Sequence, residues 1–347
     1  MRIQTGVAAE LDQVAASARE AESLGYDGVS TYEVVHDPFV TAAVVAAATD
    51  RIRISTQIAV AFARNPMTLA VAARDLQDLS HGRFTLGLGS QIAAHITRRF
   101  SMPWSSPARR MGEMIEAIRA IWRTWDDGVP LQFEGEFYQH TLMTPNFSPE
   151  PSAYPPPPIW LAAVGKGMLR TAATTADGVL VHGFCTAAYL EQVILPTVDD
   201  ALAAAERTRA DFAVVLPTMV ATGADGAEID RAVERVRAQV AFYGSTPAYR
   251  GVLDVHGWGS LGERLHALSR TDDPDRWAAM ARAVPDEVVE AFAIVASPQD
   301  LPSAVHARYG SHADQISLQR PEGVDRDTWA DVLNRMRALS PDSKERE

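Results

Sequence analysis

Apolar and polar positions along the chain follow two alternating rhythms. The runs MRIQTGV (1–7), DGVSTYE (27–33), IRISTQIAV (52–60) and FTLGLG (84–89) have the short, dense apolar patterning of buried strands. Between the first two, Leu11, Val14, Ala15, Ala18 and Leu24 mark one helical face that stops at Gly25. An alanine-rich helix over about 40–49 and another over 66–80 separate the next pairs. IWLAA (159–163), GVLV (178–181), FAVVL (212–216) and ADQISL (313–318) continue the series, which makes eight strand candidates.

Strands separated mostly by helices predict a parallel α/β architecture, and the count suits a closed (β/α)8 TIM barrel. An open doubly wound sheet is the alternative. Met111, Met114, Ile115, Ile118, Ile121, Trp122 and Trp125 repeat at helical spacing, and this stripe is expected to pack inward rather than bind a ligand. Two intervals exceed the usual unit: residues 89–158 and the mostly helical 222–310. These insertions after strands 4 and 7 would stand over the C-terminal rim of a barrel as candidate lids. The proline-rich stretch 145–158 reads as a long connection within a single domain, 1–347, and the polar tail from about 340 is expected to fray.

Composition narrows the function. The 347 residues are 47% hydrophobic, enough for a sizeable core, and the formal charge of -12 disfavours nucleic acid and anionic membranes as partners. The single cysteine, Cys185, cannot form an internal disulfide. No run reaches the roughly 18 apolar residues that span a bilayer, and no segment reads as a signal peptide, so a soluble cytoplasmic protein is expected. Of the 32 basic residues only Lys166 and Lys344 are lysine.

Lys166 lies in Gly165-Lys166-Gly167, after a strand and before the helical segment 167–176. Glycine permits close backbone approach, and the first amides of a helix attract anions, so a phosphate cradle is one reading and a plain turn the other. The stretch is neither a P-loop nor a Rossmann fingerprint, because GxxxxGK[ST] and GxGxxG spacings are missing. His36, in EVVHDPF after strand two, is placed to handle a proton, or else starts a helix. Glu33 is a second acid–base candidate. Ser90, Gln91 and His95 follow the glycine-rich end of strand four, where a planar ligand could lie against the backbone, and Arg98 and Arg99 could meet an acidic tail or simply be solvated. AFYGSTPAY (241–249) and HGWG (256–259) offer aromatics either for a flat substrate or for a packed corner. Metal binding has little support: HExxH and paired cysteines are missing, as is the Gly-x-Ser-x-Gly elbow of serine hydrolases.

The segments GYDGVSTYEVVHDPF (25–39), ARNP (63–66), SHGRFTLGLGSQ (80–91), PPIWLAAVGKGM (157–168) and TADGVLVHGF (175–184) together resemble the luciferase-like monooxygenase superfamily, in particular its branch dependent on the deazaflavin coenzyme F420. ASPQDL (296–301) and ADQISL (313–318) fall in the same order. The resemblance implies a barrel and a strand-three bulge at Gln57-Ile58, with Ala59 beside it, often built on a non-prolyl cis peptide that supports the ring. It implies a phosphate loop at Ala163, Val164, Gly165, Lys166, Gly167 and Met168, with Ser90, Gln91 and His95 along the ring or ribityl side. It places His36 near the hydride-transfer face, although relatives often carry the acid and histidine adjacent, whereas Val34 and Val35 intervene here. The implied activity is hydride transfer between C5 of F420 and a carbonyl, imine or activated alkene, with His36 or Glu33 handling the proton, in a homodimer. An FMN-dependent monooxygenase using molecular oxygen is the enzymatic alternative, and a non-catalytic flavin-binding protein the alternative of another class.

Overall fold

Eight parallel strands form the frame: β1 (Arg2–Gly6), β2 (Gly28–Thr31), β3 (Arg53–Thr56), β4 (Phe84–Gly89), β5 (Ile159–Ala163), β6 (Gly178–Val181), β7 (Ala213–Pro217) and β8 (Gln315–Ser317). Each is hydrogen-bonded to its neighbours in sequence, and β8 pairs with β1, so the ring closes as the expected (β/α)8 barrel. This computed structural model describes residues 1–8 and 10–339, and the tail expected from about 340 lies outside them. The chain gathers into two compact units.

One unit comprises Thr5–Leu180 with Val198–Ala213. Its first helices are α1 (Val14–Leu24), α2 (Pro38–Ala48) and α3 (Pro66–Leu79). Gly25 ends α1 at φ 92°, which only glycine adopts freely. The Asp37 carboxylate accepts from the Phe39 and Val40 amides at the start of α2, and the Asn65 side chain accepts from the Thr68 amide at the start of α3. Pro38 and Pro66 follow these caps at the first helical position, so DPF and RNP act first as helix starts. Leu11 lies ahead of α1 and is exposed, while Val14, Ala18 and Leu24 are buried as the pattern requires. The interval 89–158 folds into α4 (Ala93–Arg98), α5 (Pro107–Asp127) and a short hairpin pairing Phe133–Glu134 with Gln139–His140. The apolar stripe of α5 is buried, and its Trp122 Nε1 donates to the Ala70 carbonyl of α3 at 3.0 Å. α6 (Lys166–Thr175) follows β5 and packs on α5.

The other unit holds Met1–Gln4, Val181–Thr197 and the chain from Val214. Ile316 of β8 lies opposite Ile3 on one side and Leu216 on the other. Gln4 Nε2 donates to Ser317 Oγ at 2.6 Å and the Gln315 amide donates to Gln4, so the polar groups of β1 and β8 bond one another. The interval 222–310, expected to be mostly helical, contains, besides the helix Gly226–Gly244 and its successors, the strand Ala293–Val295, which pairs in parallel with Met219–Ala221 just ahead of the interval. These are too short to stand out from the surrounding helical pattern. Its core gathers Phe184, Val240, Leu253, Leu265, Met280 and Phe292.

The pattern over 52–60 predicts one continuous strand. The chain instead leaves the ladder after Thr56 and rejoins it at Ala59–Val60. Between the pairs Ser55↔Thr85 and Ala59↔Leu88, three residues, Thr56, Gln57 and Ile58, face two, Leu86 and Gly87. That mismatch is a β-bulge, and the Gln57–Ile58 peptide within it is cis. Strand propensity carries no sign of it, because the break is held by a residue from another strand end.

Candidate functional site

That residue is Glu33, two positions beyond β2. Its Oε2 accepts the Val60 amide at 2.7 Å and Arg64 Nη1 at 2.6 Å, and its side chain is only 8% exposed. Arg64 Nη2 reaches Asp37 Oδ2 at 2.6 Å, so one guanidinium joins the segment after β3 to the segment after β2. Gln57 is fixed from the opposite side: its backbone amide donates to the Thr31 carbonyl at 2.7 Å, and its side-chain amide to Ser55 Oγ at 3.3 Å. The bulge is therefore gripped by hydrogen bonds at both ends.

Ile58 projects across the end of β4. A Cβ on Gly89 would lie 2.8 Å from Ile58 Cδ1, so glycine leaves the space that the isoleucine fills. Beyond Gly89, Ser90 is half-buried and its hydroxyl donates to the Gln91 carbonyl at 3.2 Å. Gln91 sits at φ 60° and its Oε1 accepts the Ile92 amide at 3.0 Å. His95 lies on α4 with an exposed ring that has no hydrogen-bond partner among the described residues. Arg99 Nη2 donates to the Val34 carbonyl at 3.2 Å, and Arg99 covers the Phe100 ring, so this cation ties the segment after β4 to the segment after β2.

His36 lies one residue ahead of the Asp37 cap. Its ring is half-buried and, among the described residues, has no hydrogen-bond partner, so both nitrogens are free to exchange a proton. Glu33 and His36 sit on one loop with opposite conditions: one carboxylate oxygen is fully committed, the imidazole uncommitted. The loop brings Glu33 against Val60, whereas among the described residues no hydrogen bond joins His36 to Gln91 or His95.

β4 and β5 run side by side, with Leu88 opposite Leu161, so the segments after both strands begin next to each other. After β5 the half-buried Val164 leads to Gly165, Lys166 and Gly167, all exposed. Gly165 is the N-cap of α6 and offers no side chain to satisfy it. The first helical bond is Leu169 to the Gly165 carbonyl, which leaves the Lys166, Gly167 and Met168 amides without an acceptor among the described residues. A Cβ on Gly165 would meet nothing within 4 Å, and one on Gly167 only Ala108 Cβ at 3.9 Å. Open amides, open space and a helix N-terminus form a donor set for a phosphate. The Lys166 ammonium is free of ion pairs among the described residues and adds an exposed charge.

In the other unit, His182 follows directly after β6. Its Nδ1 accepts the Phe184 amide at 3.0 Å, and its ring stacks on Tyr249 with centroids 4.3 Å apart and meets the edge of Tyr243 at 5.0 Å. Burial pushes its pKa down to about 4, so the ring is neutral at physiological pH. Sequence reasoning singled out Tyr243 and Tyr249 and passed over His182, although its place at a strand end is the same signal that drew attention to His36. His256, the other flagged position here, is held by Thr186 Oγ1 at 2.8 Å and stacked on Trp258. Among the described residues no group of His, Cys, Asp and Glu could hold a metal, and no helix is long and apolar enough to cross a membrane.

The fold is a (β/α)8 barrel. The chain belongs to the luciferase-like monooxygenase family, whose model matches residues 2–315, and is an oxidoreductase of a family that uses F420 or FMN. It is 46% identical over 316 residues to an uncharacterized protein of Mycobacterium tuberculosis, covering 91% of this chain and 92% of the other. It is 27% identical over 266 residues to the 5,10-methylenetetrahydromethanopterin reductase of Archaeoglobus fulgidus, covering 76% and 75%. Among solved structures, the coenzyme F420 dependent tetrahydromethanopterin reductase from Methanopyrus kandleri superposes with a TM-score of 0.76 at 20% identity, over 95% of this chain and 96% of that one.

Proposed function

We propose that the chain is an F420-dependent oxidoreductase that transfers a hydride between the cofactor and a small organic carbonyl, imine or activated alkene. The observation that carries this reading is the open first turn of α6, where three backbone amides and an uncrowded Gly165 await an anion. F420 over FMN is favoured by the set of motifs in the sequence and by the name of the superposed reductase.

Reduced F420, when bound, supplies a hydride from C5 of its deazaflavin ring. The chain supplies binding, orientation and proton handling. The Lys166, Gly167 and Met168 amides take the phosphate, with Ala163 and Val164 leading into the turn and Lys166 adding charge. Gln57, Ile58 and Ala59 back the ring, Ser90, Gln91 and His95 flank it, and Glu33 with Arg64 keeps the bulge in shape. Because Glu33 accepts from both Val60 and Arg64, it serves as a positioning residue. His36, with unbonded ring nitrogens, exchanges the proton with the substrate heteroatom.

Titration of the purified protein with F420 and with FMN, followed by the visible absorption of each ring, tests the reading. Saturable F420 binding that Gly165→Asp weakens is the expected result. Tight FMN binding without F420 binding would overturn it in favour of an oxygen-using monooxygenase. Binding without turnover across a broad panel of carbonyls, imines and alkenes would make the chain a binding protein.

A further inference from the structure

The aromatic group around His182 carries features that a packed corner does not need. Nδ1 of His182 is the acceptor for the Phe184 amide, so the neutral ring carries its proton on Nε2. That Nε2–H has no acceptor among the described residues, nor do the hydroxyls of Tyr243 and Tyr249, whose rings touch the imidazole. All three side chains are half-buried. At 243 and 249 phenylalanine would fill the same volumes without leaving polar edges idle. Phe184 anchors the group from beneath, stacked on Phe292 at 4.4 Å.

We infer that His182, Tyr243 and Tyr249 form a recognition site for the carbonyl or hydroxyl oxygen of an uncharged organic ligand. The three groups are donors of neutral character, and the rings around them supply an apolar wall for the ligand's carbon skeleton. Among the described residues no arginine or lysine lies over these rings, and the neighbouring Arg250 is turned to Glu263 at 3.5 Å. An anion placed here would lose its hydration against donors that carry no charge. Burial holds the Tyr249 phenol protonated and the imidazole neutral, which keeps the donor pattern constant through the physiological range. The inference stands on this group of side chains alone and does not depend on the cofactor.

The test uses the full-length protein without cofactor and the matched pair acetophenone and benzoate, which share a ring and differ in charge. Nitrogen NMR on protein labelled at histidine should show His182 as the Nε2–H tautomer between pH 6 and 8. Acetophenone should shift that resonance saturably, and benzoate should not. By equilibrium dialysis, Tyr249→Phe, which keeps the stack and deletes the hydroxyl, should weaken acetophenone binding about 3- to 10-fold, the range of one neutral hydrogen bond. His182→Phe should weaken it at least as much, and if that variant fails to fold, Tyr249→Phe alone decides. Unchanged binding in the folded variants, preference for benzoate, an Nδ1–H tautomer, or no saturable acetophenone binding would each overturn the inference. Because no cofactor enters the measurement, such a failure leaves the F420 titration to be judged separately.

Discussion

Thr56 and Gly87 meet at the point where β3 leaves its neighbour. Thr56 Oγ1 donates to the Gly87 carbonyl at 2.7 Å and accepts the Gly87 amide at 2.9 Å, while the Thr56 carbonyl oxygen lies 1.8 Å from where a Gly87 Cβ would be. The obstructing atom is backbone, so it cannot rotate away. Gly87→Ala is expected to destabilise by about 3 kcal/mol, the upper end for overpacking, measured by urea unfolding. Gly89→Ala meets the Ile58 side chain, Cδ1 at 2.8 Å and Cγ1 at 2.9 Å, which can turn aside as backbone cannot, and should cost about 1–2 kcal/mol, with a larger effect on F420 affinity than on stability.

Glu33 holds a backbone amide and a guanidinium that are both largely hidden from water. Glu33→Ala leaves the Val60 amide without its acceptor and Arg64 with Asp37 and the Val60 carbonyl. A loss of about 3 kcal/mol is expected by denaturant unfolding, while His36→Ala, which removes a ring with no internal partner, should change stability by less than about 1 kcal/mol. Equal losses in the two variants would contradict the division of roles.

Gly165 offers the opposite case. With open space around its Cβ position and a φ of −95° that alanine adopts readily, Gly165→Ala should leave the melting temperature nearly unchanged. Gly165→Asp places a carboxylate beside the open amides and should lower F420 affinity by about tenfold or more through like-charge repulsion. Melting curves and the absorption titration read the two effects separately.

His182 makes the fold sensitive to acid. Its ordinary value of 6.5 applies to the unfolded chain, whereas burial lowers the folded value to about 4. Between those limits the unfolded chain takes up a proton that the native chain refuses, so stability is intact above pH 6.5 and falls as pH drops toward 4. The full difference below pH 4 is on the order of 3 kcal/mol. His182→Gln should flatten this part of a pH series of unfolding curves.

Cys185 is buried, and burial pushes its thiol up to about 12. Almost no thiolate exists at neutral pH, so an aromatic disulfide reagent should fail to react with the native chain and should titrate the lone thiol in guanidinium chloride. Fast reaction of the native protein would show that the β6 end opens readily.

The eight barrel strands were legible because buried parallel strands are apolar along their whole length, and α5 because its stripe keeps helical phase for about four turns. Asp37-Pro38 and Asn65-Pro66 are visible as residues, and their task in the fold is capping, a local signal. The bulge was invisible to propensity: IRISTQIAV reads as one strand, and only the likeness to a family marked Gln57-Ile58. What breaks the strand is Glu33, and a carboxylate's choice between amide acceptor and proton donor depends on Arg64, far along the chain. His182 was missed for a similar reason. Its fixed tautomer is local, set by Phe184, but the tyrosines that give it meaning arrive from the helical insertion.

Arginine supplies nearly all the positive charge of this chain, and the exposed Lys166 stands at the mouth of α6. Primary amines are what acylating reagents seek, so mild treatment with an amine-reactive label would mark that helix start with few competitors. Mass spectrometry of the labelled protein, with and without a bound anion, becomes a footprint of this one turn.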